Sequence, residues 1–478
     1  MIYFFSLLCV FVSCVLLCVK ISETRDIMKT CKLFLFIFLC SSLFADEPLF
    51  VRLETEKPLL PLYLTNVIDD NSGFDKSYLK QLEQVLSFDL SHNGMTYLVK
   101  PSQEMAKASH PESFENLGDV QQWNALKVHY VIKPRIQNKQ LAVRMLSVNN
   151  GTGKALDGIA LTGNLAQDRR QIHLIADKIH QALFGNEGIA STRIIYTLKR
   201  NAATKDPSSD IWEADYDGFN ARQVLTNAGY CVTPLYVPPK SGGAAGSICF
   251  VSYKTGQPKI YFSSLGKGEP QRFSLLSGNQ LMPSLSRQRN KIAFISDVTG
   301  NPDLFLQEFD PEQGPIGKPR QIYATHQATQ GSPTFSPDGK SIAFVTNKDG
   351  SPRIYIMDIP TPDMRLKDIK ANLISKANRE NSAPSWSPDG TKLAYCAMTN
   401  GVRQIWIYDF LKRQEWQLTQ GGTHKENPSW APNNLHLVFN STGNDVSELY
   451  LINLNQSNAT KISAGAGEKR FPFWEPRS

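Results

Sequence analysis

Two short signatures recur six times each in the C-terminal part of this chain, and the two series are out of step. The first begins with proline: Pro234-Leu-Tyr, Pro283-Ser-Leu-Ser, Pro333-Thr-Phe-Ser, Pro384-Ser-Trp-Ser, Pro428-Ser-Trp-Ala and Pro472-Phe-Trp. The second is an apolar run: Ile194-Ile-Tyr, Ile248-Cys-Phe, Ile292-Ala-Phe, Ile342-Ala-Phe, Leu393-Ala-Tyr and Leu437-Val-Phe, at steps of 54, 44, 50, 51 and 44 residues. The run at Ile194 has no proline signature before it, and Pro472 has no apolar run after it. A linear stack of sheets gives no reason for that offset. A closed ring does, because the segment around Phe473 can supply the strand missing beside Tyr196. The spacing predicts an all-β, six-bladed β-propeller closed by a C-terminal strand.

The connections support this reading. Ser336-Pro-Asp-Gly339 and Ser387-Pro-Asp-Gly390 suit type I turns: proline pre-sets φ at the second position and glycine avoids a steric penalty at the fourth. Residues 432–434 are a degenerate copy, and residues 287–290 (Arg-Gln-Arg-Asn) lose the turn residues altogether. A third strand recurs at Ile211, Ile260, Leu304, Ile354, Ile405 and Leu449. Trp386, Trp406, Trp416 and Trp430 are assigned to blade packing.

Upstream of about residue 190 the pattern changes. Residues 46–190 are expected to form a mixed α/β domain, with strands over 61–64, 95–99, 126–132 and 141–148. A helix capped by Asp75 should run to about Phe88. A second should span 168–184, its apolar stripe formed by Ile172, Ile175, Ala176, Ile179 and Leu183 and its Arg169 side in solvent. Residues 1–45 are expected to be an extended leader. The segment from Met28 has Lys29 and Lys32, then an apolar core, then small residues, so translation is expected to start at Met28 and cleavage to follow Ala45. Beyond that leader only Cys231, Cys249 and Cys396 remain, far apart, which argues against a disulfide framework or a thiolate metal site.

A net charge of +7 over 478 residues, without a basic tract, argues against nucleic acid. There is no Gly-x-Ser-x-Gly elbow and no His-Glu-x-x-His, so no catalytic residue, metal or cofactor is assigned and no small-molecule substrate is expected. Asp215-Tyr-Asp217-Gly218 hints at calcium, but a hairpin turn explains the same residues. The loops before the proline signatures remain. They carry Asn279, Gln280, His326, Gln330, Arg379, Glu380, His424, Glu426, Lys469 and Arg470, and a ring sets them at one mouth. Together they are expected to form a polar platform for a protein partner. The rival readings are an exported peptidase-type propeller and a carbohydrate-binding one.

The junction run from Phe184 to Tyr196, the Asp215-Tyr-Asp-Gly-Phe-Asn220 turn and the Ser-Pro-Asp-Gly repeats give the chain its likeness to a known family. It resembles the TolB family of the bacterial Tol–Pal system. The resemblance implies a non-enzymatic periplasmic protein that binds the peptidoglycan-associated lipoprotein Pal through its propeller. It also implies contact with a TolA-like inner-membrane protein through the segment from Asp46 to Lys57, and a role in outer-membrane integrity during constriction.

Overall fold

The computed structural model describes residues 57–200, 207–226, 228–240, 245–266, 268–444, 446–456 and 458–477. The leader and all of the 46–57 segment except Lys57 lie outside the described residues.

The α/β portion has six strands: β1 (Leu60–Leu64), β2 (Ile68–Asp70), β3 (Thr96–Leu98), β4 (Tyr130–Gln137), β5 (Gln140–Ser147) and β6 (Thr152–Ala160). Their order is β3-β1-β4-β5-β6, with β2 pairing β4. The β1–β3, β1–β4 and β2–β4 pairs are parallel and the rest antiparallel. Helices α1 (Lys76–Ser91), α2 (Gln103–Ala108), α3 (Val120–Ala125) and α4 (Leu165–Phe184) complete the portion among the described residues. Asp75 caps α1 as expected, accepting from the Tyr78 N–H at 2.9 Å. Asn164 caps α4, and Gly185 ends it in the left-handed conformation that glycine adopts most freely.

Two sequence expectations shift. The strand foreseen at 126–132 begins only at Tyr130, because Asp119 caps α3 and Leu126 closes it. Arg169 is not solvated: α4 buries Arg169, His173 and His180 on a second stripe, which faces the propeller.

One buried cation organises the loop between α2 and α3. Lys133 on β4 is 1% exposed and donates to the carbonyls of His110, Ser113 and Asn116 at 2.7–2.9 Å, and to that of Ser109. Without it four inward carbonyls lose their donor. Lys133→Met is therefore expected to lower the urea-unfolding free energy by about 2 kcal/mol.

Six four-stranded sheets follow. Blade 1 contains β7 (Arg193–Arg200), β8 (Ser208–Asp215) and β9 (Arg222–Gln223), and its innermost strand is the C-terminal Glu468–Trp474. Phe473 pairs with Ile195 and Trp474 with Ile194, so the ring closes as the offset signatures require. Blades 2 to 6 begin with the innermost strands Cys231–Tyr236, Gln280–Leu285, Gln330–Phe335, Asn381–Trp386 and His424–Trp430. The tryptophans pack between strands: Trp386 stacks on Phe410 at 5.1 Å, and Trp430 donates to the Ser385 carbonyl of the preceding blade. One apolar cluster runs from Leu82, Ile172 and Ile179 through Tyr216 to Leu449 and Trp474, so the two portions share a continuous core.

Candidate functional site: the propeller channel and the domain junction

Each innermost strand carries the same defect. The residue before its proline has positive φ: Thr233 (50°), Met282 (52°), Ser332 (44°), Ala383 (47°), Asn427 (54°) and Phe471 (52°). At each of these places the register with the second strand slips by one residue, a β-bulge. Non-glycine residues rarely occupy this region, and a following proline narrows their choice further. Each such residue costs about 1–3 kcal/mol and persists only where its surroundings hold it in place. The ring repeats the defect in all six blades, and all six residues line the central channel.

The channel is a cavity of about 880 Å3. Near the start of the innermost strands it is lined by Lys199, Tyr230, Tyr253, Met282, Arg403, Glu426 and Arg470. Arg403 pairs with Glu426 at 2.9 Å, and Tyr230 meets Tyr253 edge-on at 5.8 Å. Cys396 also borders the cavity, but burial pushes its thiol up to about 12, so it is not a nucleophile near neutral pH. At the other end Arg287 spans the opening, donating to the carbonyls of Pro388 (3.1 Å) and Arg477 (3.4 Å). The turn that lost its Pro-Asp-Gly residues thus supplies a side chain across the channel end.

The ten platform residues divide. Glu426 and Arg470 line the channel, the latter tied to Glu468 at 2.7 Å. His326, Arg379 and Glu380 are exposed on the loops. His424 accepts from the Arg403 N–H, and Asn279 donates to both oxygens of Asp297. Gln280, Gln330 and Lys469 depart from a solvent-facing platform: they are 0%, 5% and 3% exposed. Gln280 donates to the Leu276 carbonyl and accepts from the Ile260 N–H. With its side-chain amide turned so that both ends find partners, Gln330 donates to the Pro302 carbonyl and Asp303 and accepts from Thr325. Lys469 bonds Glu448 and the Gly465 carbonyl. All three sit three residues before a blade proline, as do buried Asn381 and Lys425, and the bonds of Gln280, Gln330, Lys469 and Asn381 reach the preceding blade. They fasten neighbouring sheets together. The residues missed from sequence are those directly before each proline, and their place in the repeat was the available signal.

A second polar site lies where α4 meets blade 1. Asp89 of α1 accepts from the Tyr216 hydroxyl at 2.7 Å and from His173 Nδ1 at 2.8 Å. Arg169 donates to Asp217 and lies over the Phe219 ring, 3.9 Å from its centroid. Asp217 also accepts from the Phe219 N–H, and Asp215 from Asn220. Gly218 closes the turn at φ +86°, where any Cβ would collide with the Ile462 carbonyl. Burial raises the carboxyls of Asp89 and Asp215 above the usual range. Burial opposes a charge on His173, yet the nearby carboxylates outweigh it and raise its proton affinity. Close by, Arg477 donates to Asp177 at 2.8 Å and anchors the C-terminal end against α4.

The family model described as TolB beta propeller domain matches residues 180–478. The chain belongs to the TolB family. A TolB homolog of Protochlamydia amoebophila is 56% identical over 80% of this chain and 82% of its own length. A TolB homolog of Chlamydia pneumoniae is 36% identical over 82% and 84%. The crystal structure of TolB from Acinetobacter baumannii covers 90% of this chain and 100% of its own at a TM-score of 0.70, with 21% identity, a likeness of fold. This chain is therefore a TolB-type propeller protein with an α/β portion before the ring. Among the described residues no helix is long and apolar enough to cross a membrane.

Proposed function

We propose that this protein is a periplasmic, non-enzymatic component of a Tol–Pal envelope system and that its propeller binds the peptidoglycan-associated lipoprotein Pal. The observation that carries the reading is the ring of six bulges around the channel mouth. Strain repeated in every blade at one level re-aims six side chains into one opening, which suits a surface shaped for a partner. The mouth mixes apolar Met282 and Phe471 with Arg403, Glu426 and Arg470, a composition fit for a protein interface. Asn279, His326, Arg379, Glu380 and His424 are proposed as its outer rim. Gln280, Gln330 and Lys469 would act on it only by holding the blades in register. Division of the chain near residue 190, the leader over residues 1–45 and engagement of a TolA-like protein by residues 46–57 belong to the same reading, as does support of outer-membrane constriction.

The test is titration calorimetry with the soluble domain of the organism's own Pal-type lipoprotein. Ser332→Trp places an indole in the channel and is expected to weaken binding at least about tenfold, as expected at a packed interface core. Leu411→Ser, on a blade-5 turn outside the cavity lining, should bind as wild type does. Equal affinity of all three proteins would remove the channel from the interface.

A further inference from the structure

We propose that the junction between α4 and blade 1 binds a divalent transition-metal ion of the zinc class on His173, Asp215 and Asp217. His173 points Nδ1 at both oxygens of Asp89, at 2.8 and 3.0 Å. In the neutral ring the proton therefore sits on Nδ1, and Nε2 carries the lone pair. That Nε2 is buried in a residue only 1% exposed and has no hydrogen-bond partner. It faces Asp217 Oδ2 at 3.7 Å, beyond hydrogen-bonding range. A lone pair opposed to a carboxylate in a dry site is repulsive unless a positive species lies between them.

One spacing, the 3.7 Å between His173 Nε2 and Asp217 Oδ2, suits an ion. One ligand atom from each of the three residues lies within 4.8 Å of the other two. Two ligands held about 2.0–2.2 Å from one ion, at an angle of about 110–120°, stand about 3.3–3.8 Å apart. The carboxylate on the far nitrogen is also in place, since Asp89 orients the ring from behind, as outer carboxylates do for metal-bound imidazoles. Charge points the same way: of the three buried carboxylates Asp89, Asp215 and Asp217, Arg169 bonds Asp217, and Arg170 acts on Asp215 through its field. Arg169 donates to Asp217 Oδ2, the same oxygen that faces His173 Nε2, so the guanidinium would share that atom with the ion, which limits affinity. One imidazole with two carboxylates favours zinc, cobalt or manganese over calcium or magnesium, which prefer all-oxygen sites. Such an ion would fasten the α/β portion to the turn after β8, independently of whether Pal is the propeller's partner.

The experiment uses tag-free protein cleared of metal with EDTA and titrated with Co2+ and Zn2+ near neutral pH. One ion per chain is expected, with a rise in Tm of roughly 3 °C or more at an ion concentration about a hundred times Kd. Asp215→Asn and His173→Gln should each lose at least about tenfold in affinity, while His326→Gln should not. Junction variants can misfold, so wild-type crystals soaked in Zn2+ provide a measurement free of substitutions. An anomalous peak within bonding distance of His173 Nε2 is expected. Absence of that peak, failure of folded wild type to bind an ion, or unchanged binding by both variants would overturn the proposal and leave a proton shared between His173 and Asp217.

Discussion

Deleting residues 468–478 is expected to abolish cooperative folding of the ring. The lost segment includes the innermost strand of blade 1, whose partners from Ile194 to Lys199 would become an open, apolar edge beside the channel. It also removes Trp474, 1% exposed, whose indole donates to Thr192 and whose backbone N–H donates to Ser429 of the neighbouring sheet. Glu475 goes with it, and Arg193 loses a 2.7 Å ion pair. The graded version is Trp474→Ala, which should cost about 3–5 kcal/mol, the range for truncating a buried aromatic side chain. Urea denaturation followed by tryptophan fluorescence and far-UV circular dichroism separates the two variants. A truncated chain that still unfolds in one transition near the wild-type midpoint would show that the ring does not need its closing strand.

Acid is expected to weaken the contact between the α/β portion and the propeller. His436 is 1% exposed, and burial drives its imidazole down to about 3. His92 and His180 are lowered too, again first by burial. All three lie near this contact: His92 bonds Thr460, His436 stands beside Trp474, and His180 is on α4. A histidine whose folded pKa is depressed stays neutral in the native state while the unfolded chain takes up a proton. Its contribution is complete above the unfolded value of about 6.5 and is lost as pH falls from there toward about 3. One pH unit in that window is worth about 1.4 kcal/mol for His436, so lowering the pH to 4 should remove about 3 kcal/mol through this residue alone. Lowered carboxyls such as Asp168 act in the same direction, and the raised Asp89 and Asp215 oppose it. The informative quantity is thus the difference between wild type and His436→Asn in unfolding free energy at pH 7 and pH 4. A variant with the full wild-type pH dependence would acquit His436.

Much of the ring was legible because its cues are local. Proline and glycine in Ser336-Pro-Asp-Gly339 restrict their own backbone angles, and the Gly339 N–H bonds the Ser336 carbonyl as a type I turn requires. The missing strand before Ile194 was visible as a counting defect and is filled by Glu468–Trp474. The polar platform was legible only in outline. Alternation along a strand gives two faces but does not say which one the next blade covers, so Gln280 and Lys469 read as surface residues although they join sheets. The bulges were hidden for a related reason: proline in an inner strand can sit at an edge or at a bulge, and sequence does not choose between them.

The junction shows the division most sharply. Amphipathic spacing placed Ile172, Ile175 and Ile179 on the core side of α4 and was sufficient for that stripe. Arg169, on its polar side, reads as solvated because the propeller that buries it is encoded downstream. The sequence by itself determined the repeating sheets, their number and the need for the tail to return, since these follow from turn chemistry and periodicity over a few residues. Only tertiary structure decided which charged groups lie inside, because burial and the field around a titratable group are set by packed neighbours. Asp89, His173 and Asp217 become neighbours only when a helix pair docks on a closed ring.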